Sequence, residues 1–230
     1  MMHQAVFKKV TETPKGTYLQ VFVPGIKVPD KFFINGLANG VLAVDDGRTI
    51  SGAQRGLLYA LFDDIRQASG ERIYEKEKVK KIMKTSFISE KQIKPFSLSN
   101  VSMELANECI DYVLEFTFIH KVPLKFKTFE AAREWRTWSY LCFKHRECTI
   151  CRKEQAQVHH ITTVGMGRNR NKVDHSKMLL IMLCADHHQK AHSIGWETFS
   201  NYYHVAGTFI PIEVLRGLNI RGEYGEEANI

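Results

Sequence analysis

Apolar and polar residues alternate along residues 5–10 and again along 18–23, the period-two pattern of half-buried strands. Residues 41–44 read as a third strand, closed by the turn-forming Asp45, Asp46 and Gly47. The period then lengthens: Leu57, Leu58, Leu61, Phe62 and Ile65 recur at helical spacing until Ser69 and Gly70 stop the run. A charged helix is predicted over 72–83. Segment 97–100 offers capping residues for a helix over 102–120 with Leu105, Cys109, Val113 and Phe116 on its apolar face, and Pro123 ends it. After the basic stretch 121–127, Thr128 is placed to cap a helix over 129–143 whose Trp135, Trp138 and Leu141 read as a packing face. From Arg221 on the chain is acidic and expected to fray. The pattern predicts an α+β chain without repeats: one α+β domain over 1–122, a second over 123–220 and a flexible acidic tail over 221–230.

Composition narrows the class. A length of 230 residues suffices for two modest domains, and 44% apolar with 11% aromatic residues excludes a disordered chain. No apolar run is long enough to span a bilayer, so no membrane association is expected. The N-terminus lacks a basic segment followed by an apolar one, so a cytoplasmic location is expected. The net charge of +7 points to an anionic partner, nucleic acid first, although many basic proteins bind none.

The chemistry is concentrated near the end. Eight of the ten histidines and four of the five cysteines lie between Cys142 and His204, while Cys109 sits alone in an apolar helical pattern and reads as core. Two residues between Cys148 and Cys151 let both sulfurs reach one zinc ion from a tight turn, and Cys184 and His187 repeat that spacing. Three cysteines and one histidine complete a tetrahedral structural site, the kind that staples a small domain with little apolar area. His188 and His192, four apart on a helix, share one face and can hold a second ion. His159 and His160 are adjacent on a predicted strand and point to opposite faces, so one can be a ligand while the other is a base. That division suits metal-assisted phosphodiester hydrolysis.

The order Cys148-x-x-Cys151, Val158-His159-His160-Ile161, Leu183-Cys184-x-x-His187-His188-x-x-x-His192 resembles the HNH (ββα-metal) endonucleases, most closely those encoded in bacteriophage and prophage genomes. The resemblance covers about 60 residues, from Cys148 to Tyr203. It implies a zinc-stapled ββα-metal nuclease domain with His160 as general base. His159, His188 and His192 would be ligands of a catalytic ion (Mg, Mn, Ni or Zn), and Cys148, Cys151, Cys184 and His187 would hold structural zinc. DNA, single- or double-stranded, would be the substrate, cut to a 5′-phosphate and a 3′-hydroxyl. Where the family has its middle Asn, this chain has His175 beside Asp174, so His175 joins the catalytic candidates. In the loop 165–172, Arg168, Arg170 and Lys172 are candidates for DNA phosphates and Asn169 or Asn171 for a groove edge; the alternative is a solvated loop.

Residues 48–65 resemble the recombination mediators of the lambda NinB (Orf) type. That implies contact with single-stranded DNA through Arg48, Gln54 and Arg55, and with host recombination or single-strand-binding proteins; alternatively Arg48 and Gln54 only begin a helix. The expectation is a metal-dependent endonuclease of phage recombination or replication. The alternative is a non-catalytic, zinc-containing DNA-binding recombination mediator, against which His160 and the His188/His192 pair argue.

Overall fold

The computed structural model describes residues 6–25, 47–70, 76–161 and 173–224, and contacts divide the chain into two units, Met1–Val44 and Asp45–Ile230. The expected strand at 41–44 and the cationic loop carrying Arg168, Arg170 and Lys172 lie outside the described residues.

In the first unit, the alternating stretches form an antiparallel hairpin of β1 (Val6–Thr13) and β2 (Gly16–Phe22). Pro14 and Lys15 make the turn, and Gly16 leaves it at a φ of +138°, a conformation that L side chains rarely adopt.

The second unit begins with Ser51, whose side chain accepts from the Gln54 backbone N–H while the Gln54 side chain accepts from the Ser51 N–H. This reciprocal cap starts α1 (Gly52–Ala68), whose buried face carries Leu57, Leu58, Leu61, Phe62 and Ile65 as the periodicity predicts. Helix α2 (Lys76–Lys91) runs further along the chain than the charge pattern suggests. Helix α3 (Met103–Ile119) is capped by Ser102 rather than by a residue of 97–100. Its buried face is Ala106, Cys109, Ile110, Val113, Leu114, Thr117 and Phe118; Leu105 and Phe116 only flank it.

The single helix expected over 129–143 is two, α4 (Phe126–Arg133) and α5 (Trp138–His145). Asp111 of α3 explains the break. Its carboxylate accepts from Trp135 Nε1 (2.7 Å), Arg136 Nη2 (2.7 Å) and Thr137 Oγ1 (3.0 Å), which holds three consecutive side chains out of helical register. Thr128 is buried instead of capping, and the N–H of Lys125 at the start of α4 donates to buried Asp64 Oδ2 (3.0 Å).

Strands β3 (Gln157–His160) and β4 (Leu180–Leu183) pair antiparallel, with His159 opposite Ile181 and His160 opposite Leu180. All four residues of β4 are buried, each contributing about 1.5–3 kcal/mol. Then come α6 (Ala185–Ile194), α7 (Trp196–Tyr203) and α8 (Ile212–Gly217). One apolar core runs from Ile50 to Leu218 and crosses the expected boundary at 122/123, where Phe118 packs edge-on to Trp138 (5.2 Å). The expected division therefore falls inside shared packing. Within the expected tail, the Tyr224 hydroxyl donates to the Ile220 carbonyl (2.8 Å), and residues 225–230 lie outside the described residues. No helix among the described residues is long and apolar enough to cross a membrane.

Candidate metal centres and active site

The first cluster is built by a turn and a helix start. Thr149 N–H donates to the Met182 carbonyl (2.9 Å), tying the Cys148–Cys151 turn to β4, and Trp138 Nε1 donates to the Thr149 carbonyl (3.0 Å). Cys184 is the residue before α6, so His187 lies in the first turn of that helix and faces back over the two cysteines. Lys153 and Asp186 pair across the junction at 2.6 Å.

The donors fit a tetrahedral ion. With Zn–S near 2.3 Å and Zn–N near 2.0–2.1 Å, a tetrahedron separates two sulfurs by about 3.8 Å and a sulfur from a nitrogen by about 3.5–3.6 Å. Here Cys151 Sγ and Cys184 Sγ are 3.9 Å apart. His187 Nδ1 is 3.5 Å from Cys148 Sγ, 3.6 Å from Cys151 Sγ and 3.1 Å from Cys184 Sγ. A hydrogen bond from Cys151 draws the Cys148 thiol down to about 5, so the pair carries thiolate, the form that binds metal. Tyr203, edge-on to His187 at 5.0 Å, packs against the ligand ring.

The second cluster follows from strand alternation. His159 projects from β3 toward α6, where its ring lies 4.8 Å from that of His188 and 4.9 Å from that of His192. One nitrogen of each lies within 4.8 Å of the others. Burial, reinforced by the neighbouring rings, lowers His159 to about 4, and burial also lowers His188. Both are therefore neutral near pH 7 and offer lone pairs. His159 Nδ1 is buried with no hydrogen-bond partner, and a bound cation would satisfy such an atom if that nitrogen is the ligand. The Trp196 ring stacks on His159 at 6.0 Å.

His160 leaves β3 on the opposite side. Its Nε2 lies 2.9 Å from Nδ1 of His175, and His175 Nε2 lies 3.1 Å from the Arg221 carbonyl oxygen. A carbonyl only accepts, so His175 donates from Nε2, and in the neutral imidazole its Nδ1 is then the acceptor. In the neutral pair Nε2 of His160 is then the donor, which leaves the His160 lone pair on Nδ1. His175 is almost fully buried in a 3₁₀ turn, His175–Lys177. Asp174 caps that turn: its Oδ1 accepts from Ser176 N–H (3.1 Å) and Ser176 Oγ (2.5 Å) and its Oδ2 pairs with Lys177 (3.1 Å). Its carboxylate is thus held in the turn, and His175 is the residue presented to His160.

The candidates near α1 separate. Gln54 is buried, and its side chain is taken up by the Ser51 cap and by donation to Asn107 Oδ1 (2.5 Å), so it is not presented to a ligand. The Arg48 carbonyl accepts from Met103 N–H (2.9 Å) while its side chain is exposed. Arg55 Nη2 donates to the Ser99 carbonyl (3.2 Å).

Sequence reasoning did not single out Trp196, Tyr203 or Arg221. The first two are ring contacts on proposed ligands, which no spacing rule marks, and Arg221 acts through a backbone oxygen that its side chain does not advertise.

An antiparallel strand pair followed by a helix, with a histidine of the first strand facing two of the helix, is the ββα-metal arrangement. The chain belongs to the family described as "Putative HNHc nuclease", whose profile matches residues 33–219. The matched span takes in α1 to α8, the helical layer and the ββα element together. No curated protein and no solved structure matches the chain.

Proposed function

We propose that the protein is a metal-dependent endonuclease that hydrolyses DNA phosphodiester bonds. The observation that carries this reading is the split of two adjacent histidines: His159 faces His188 and His192, while His160 faces His175. A divalent ion (Mg, Mn, Ni or Zn) held by His159, His188 and His192 would neutralise charge on the scissile phosphate and the leaving oxygen. His160 Nδ1 takes the proton from the attacking water. The resulting imidazolium keeps Nε2–H directed at His175 Nδ1, and the Arg221 carbonyl holds His175 in the accepting tautomer. Water oxygen bonds to phosphorus as the P–O3′ bond breaks, leaving a 5′-phosphate and a 3′-oxyanion that takes a proton from solvent to become the 3′-hydroxyl. Cys148, Cys151, Cys184 and His187 would hold a structural zinc, which would tie the start of α6 to the Cys148–Cys151 turn.

Arg168, Arg170 and Lys172 belong to the DNA-binding surface in this reading, with Arg48 and Arg55 as further contacts. A cytoplasmic role in phage recombination or replication fits the sequence resemblances.

The test is cleavage of plasmid, linear duplex and single-stranded DNA with each of the four ions. His160→Ala should slow cleavage by about 10²–10⁴-fold while zinc content and DNA binding stay near wild type. Wild-type turnover in that variant would remove His160 as the base, and no cleavage of any substrate with any ion would remove the nuclease reading.

A further inference from the structure

We propose that the recess between α1, α2 and the turn 97–99 is a phosphate-binding site that takes a phosphoryl group of a nucleic-acid strand, an inference resting on the nuclease reading only for the identity of the strand. The recess has a volume of about 240 Å³. Arg55 and Tyr59 enter it from α1, Lys80 and Lys84 from α2, and Ser97 and Ser99 from the turn.

Three cations share this space. Lys80 Nζ pairs with Glu77 (2.5 Å) and donates to the Tyr59 hydroxyl (3.2 Å). Lys84 Nζ donates to the Phe96 carbonyl (2.5 Å) and lies 4.9 Å over the Phe96 ring. Arg55 gives one bond to the Ser99 carbonyl, and its Nε is buried without a partner. Glu77 thus offsets one of three positive charges, and the other two meet only neutral acceptors.

An ammonium has three N–H groups and a guanidinium five, so donors remain after these bonds are counted. A buried guanidinium N–H without an acceptor is unfavourable, and like charges gathered in one recess add to that cost. A phosphoryl group meets both demands, because it brings negative charge and several acceptor oxygens to the same point. Ser97 Oγ and Ser99 Oγ lie 2.9 Å apart; one proton makes that bond, leaving a second hydroxyl proton to offer. The surroundings favour a strand over a free anion: the sequence of α2 holds six lysines against two glutamates, so positive charge continues past the recess.

The test measures binding of labelled single- and double-stranded oligonucleotides to the full chain across a salt series, without added divalent ion. Arg55→Gln and Lys84→Gln should each weaken binding about tenfold and reduce the salt slope by roughly 0.7–0.9. Thermal melts confirm folding, and Lys84, at the rim of α2, gives a second variant should Arg55→Gln fail to fold. A 5′-phosphorylated strand that outbinds its 5′-hydroxyl form in wild type but not in Lys84→Gln would assign a terminal phosphate; equal binding of the two forms, with both variants impaired, would assign a backbone phosphate. Unchanged affinity and slope in folded variants would overturn the proposal even if the protein cuts DNA. Inorganic phosphate that raises the melting temperature of wild type but not of Lys84→Gln, while strand binding is the same in both, would give the recess to a free anion and also overturn it. Variant-sensitive binding without cleavage by any ion would leave the recess standing while the nuclease reading fell.

Discussion

At the scale of single residues, Gly222 controls more than its size suggests. A Cβ there would sit 2.5 Å from the Val173 carbonyl oxygen and 2.9 Å from His175 Cδ2. Backbone cannot yield as a flexible side chain would, so Gly222→Ala should push the adjacent Arg221 carbonyl away from His175. Displacing a positioning group by about 1 Å can cost as much as about 10²-fold in rate. The expected result is slower cleavage with zinc content and DNA affinity unchanged; wild-type rates would show that the Arg221 contact does not orient the pair. His145 illustrates a titrating residue outside the site. It is half-buried, stacked on Phe118 at 5.5 Å, and burial lowers its pKa below 6.5. A folded pKa below the unfolded one means that its contribution is complete above about pH 6.5 and is lost as pH falls through the folded value. His145→Phe should therefore flatten the decline in stability below that pH, measured by urea unfolding at pH 7.5 and 5; an unchanged decline would assign it to other groups.

At the scale of elements, the sequence was most informative where one period governed. The face of α1 follows from the spacing of Leu57, Leu58, Leu61, Phe62 and Ile65, and the opposite directions of His159 and His160 follow from strand alternation. The paired two-residue spacings bring Cys148, Cys151, Cys184 and His187 together as expected. What the pattern missed depends on distant residues. The break between α4 and α5 is set by Asp111 on α3, and the start of α4 by Asp64 on α1. No local window contains either carboxylate. The strand β4 was equally hard to read, because four consecutive buried residues carry no alternation. The turn and helix start at the Cys3His cluster invite a direct test. Cys151 is exposed, so Cys151→Ser disturbs little packing and chiefly removes a ligand. Elemental analysis should give one zinc per wild-type chain and markedly less in the variant. The midpoint of thermal unfolding should fall by about 10 °C, since binding energy at such a site is folding energy. Folded wild-type protein without zinc would refute the structural site.

At the scale of the whole molecule, the second unit holds together across the place where a domain boundary was expected. Arg152, beside the cysteine turn, donates to the carbonyls of Thr117 (3.2 Å) and Val122 (3.1 Å) at the end of α3, and its guanidinium lies 4.2 Å over the Phe118 ring. It also pairs with Glu147 at 2.6 Å, a buried carboxylate that Lys121 reaches from the other side at 2.8 Å. Asp111 fastens the link between α4 and α5, and Lys125 pairs with Asp63 of α1 at 2.6 Å. Cutting the chain after residue 122 would remove Phe118 from the fully buried Trp138 and would strip Arg152 of its carbonyl acceptors Thr117 and Val122. In that fragment Glu147 would lose the half-exposed Lys121 and keep Arg152, while Arg152 would lose its anchorage on α3. Residues 123–230 alone should therefore melt without a cooperative transition and bind zinc weakly, whereas residues 45–230 should melt cooperatively with zinc bound. Circular dichroism, thermal melts and zinc stoichiometry on the two fragments decide the matter. A cooperative, zinc-loaded 123–230 fragment that cuts DNA would establish the nuclease half as an independent domain and reduce the shared core to a docking contact.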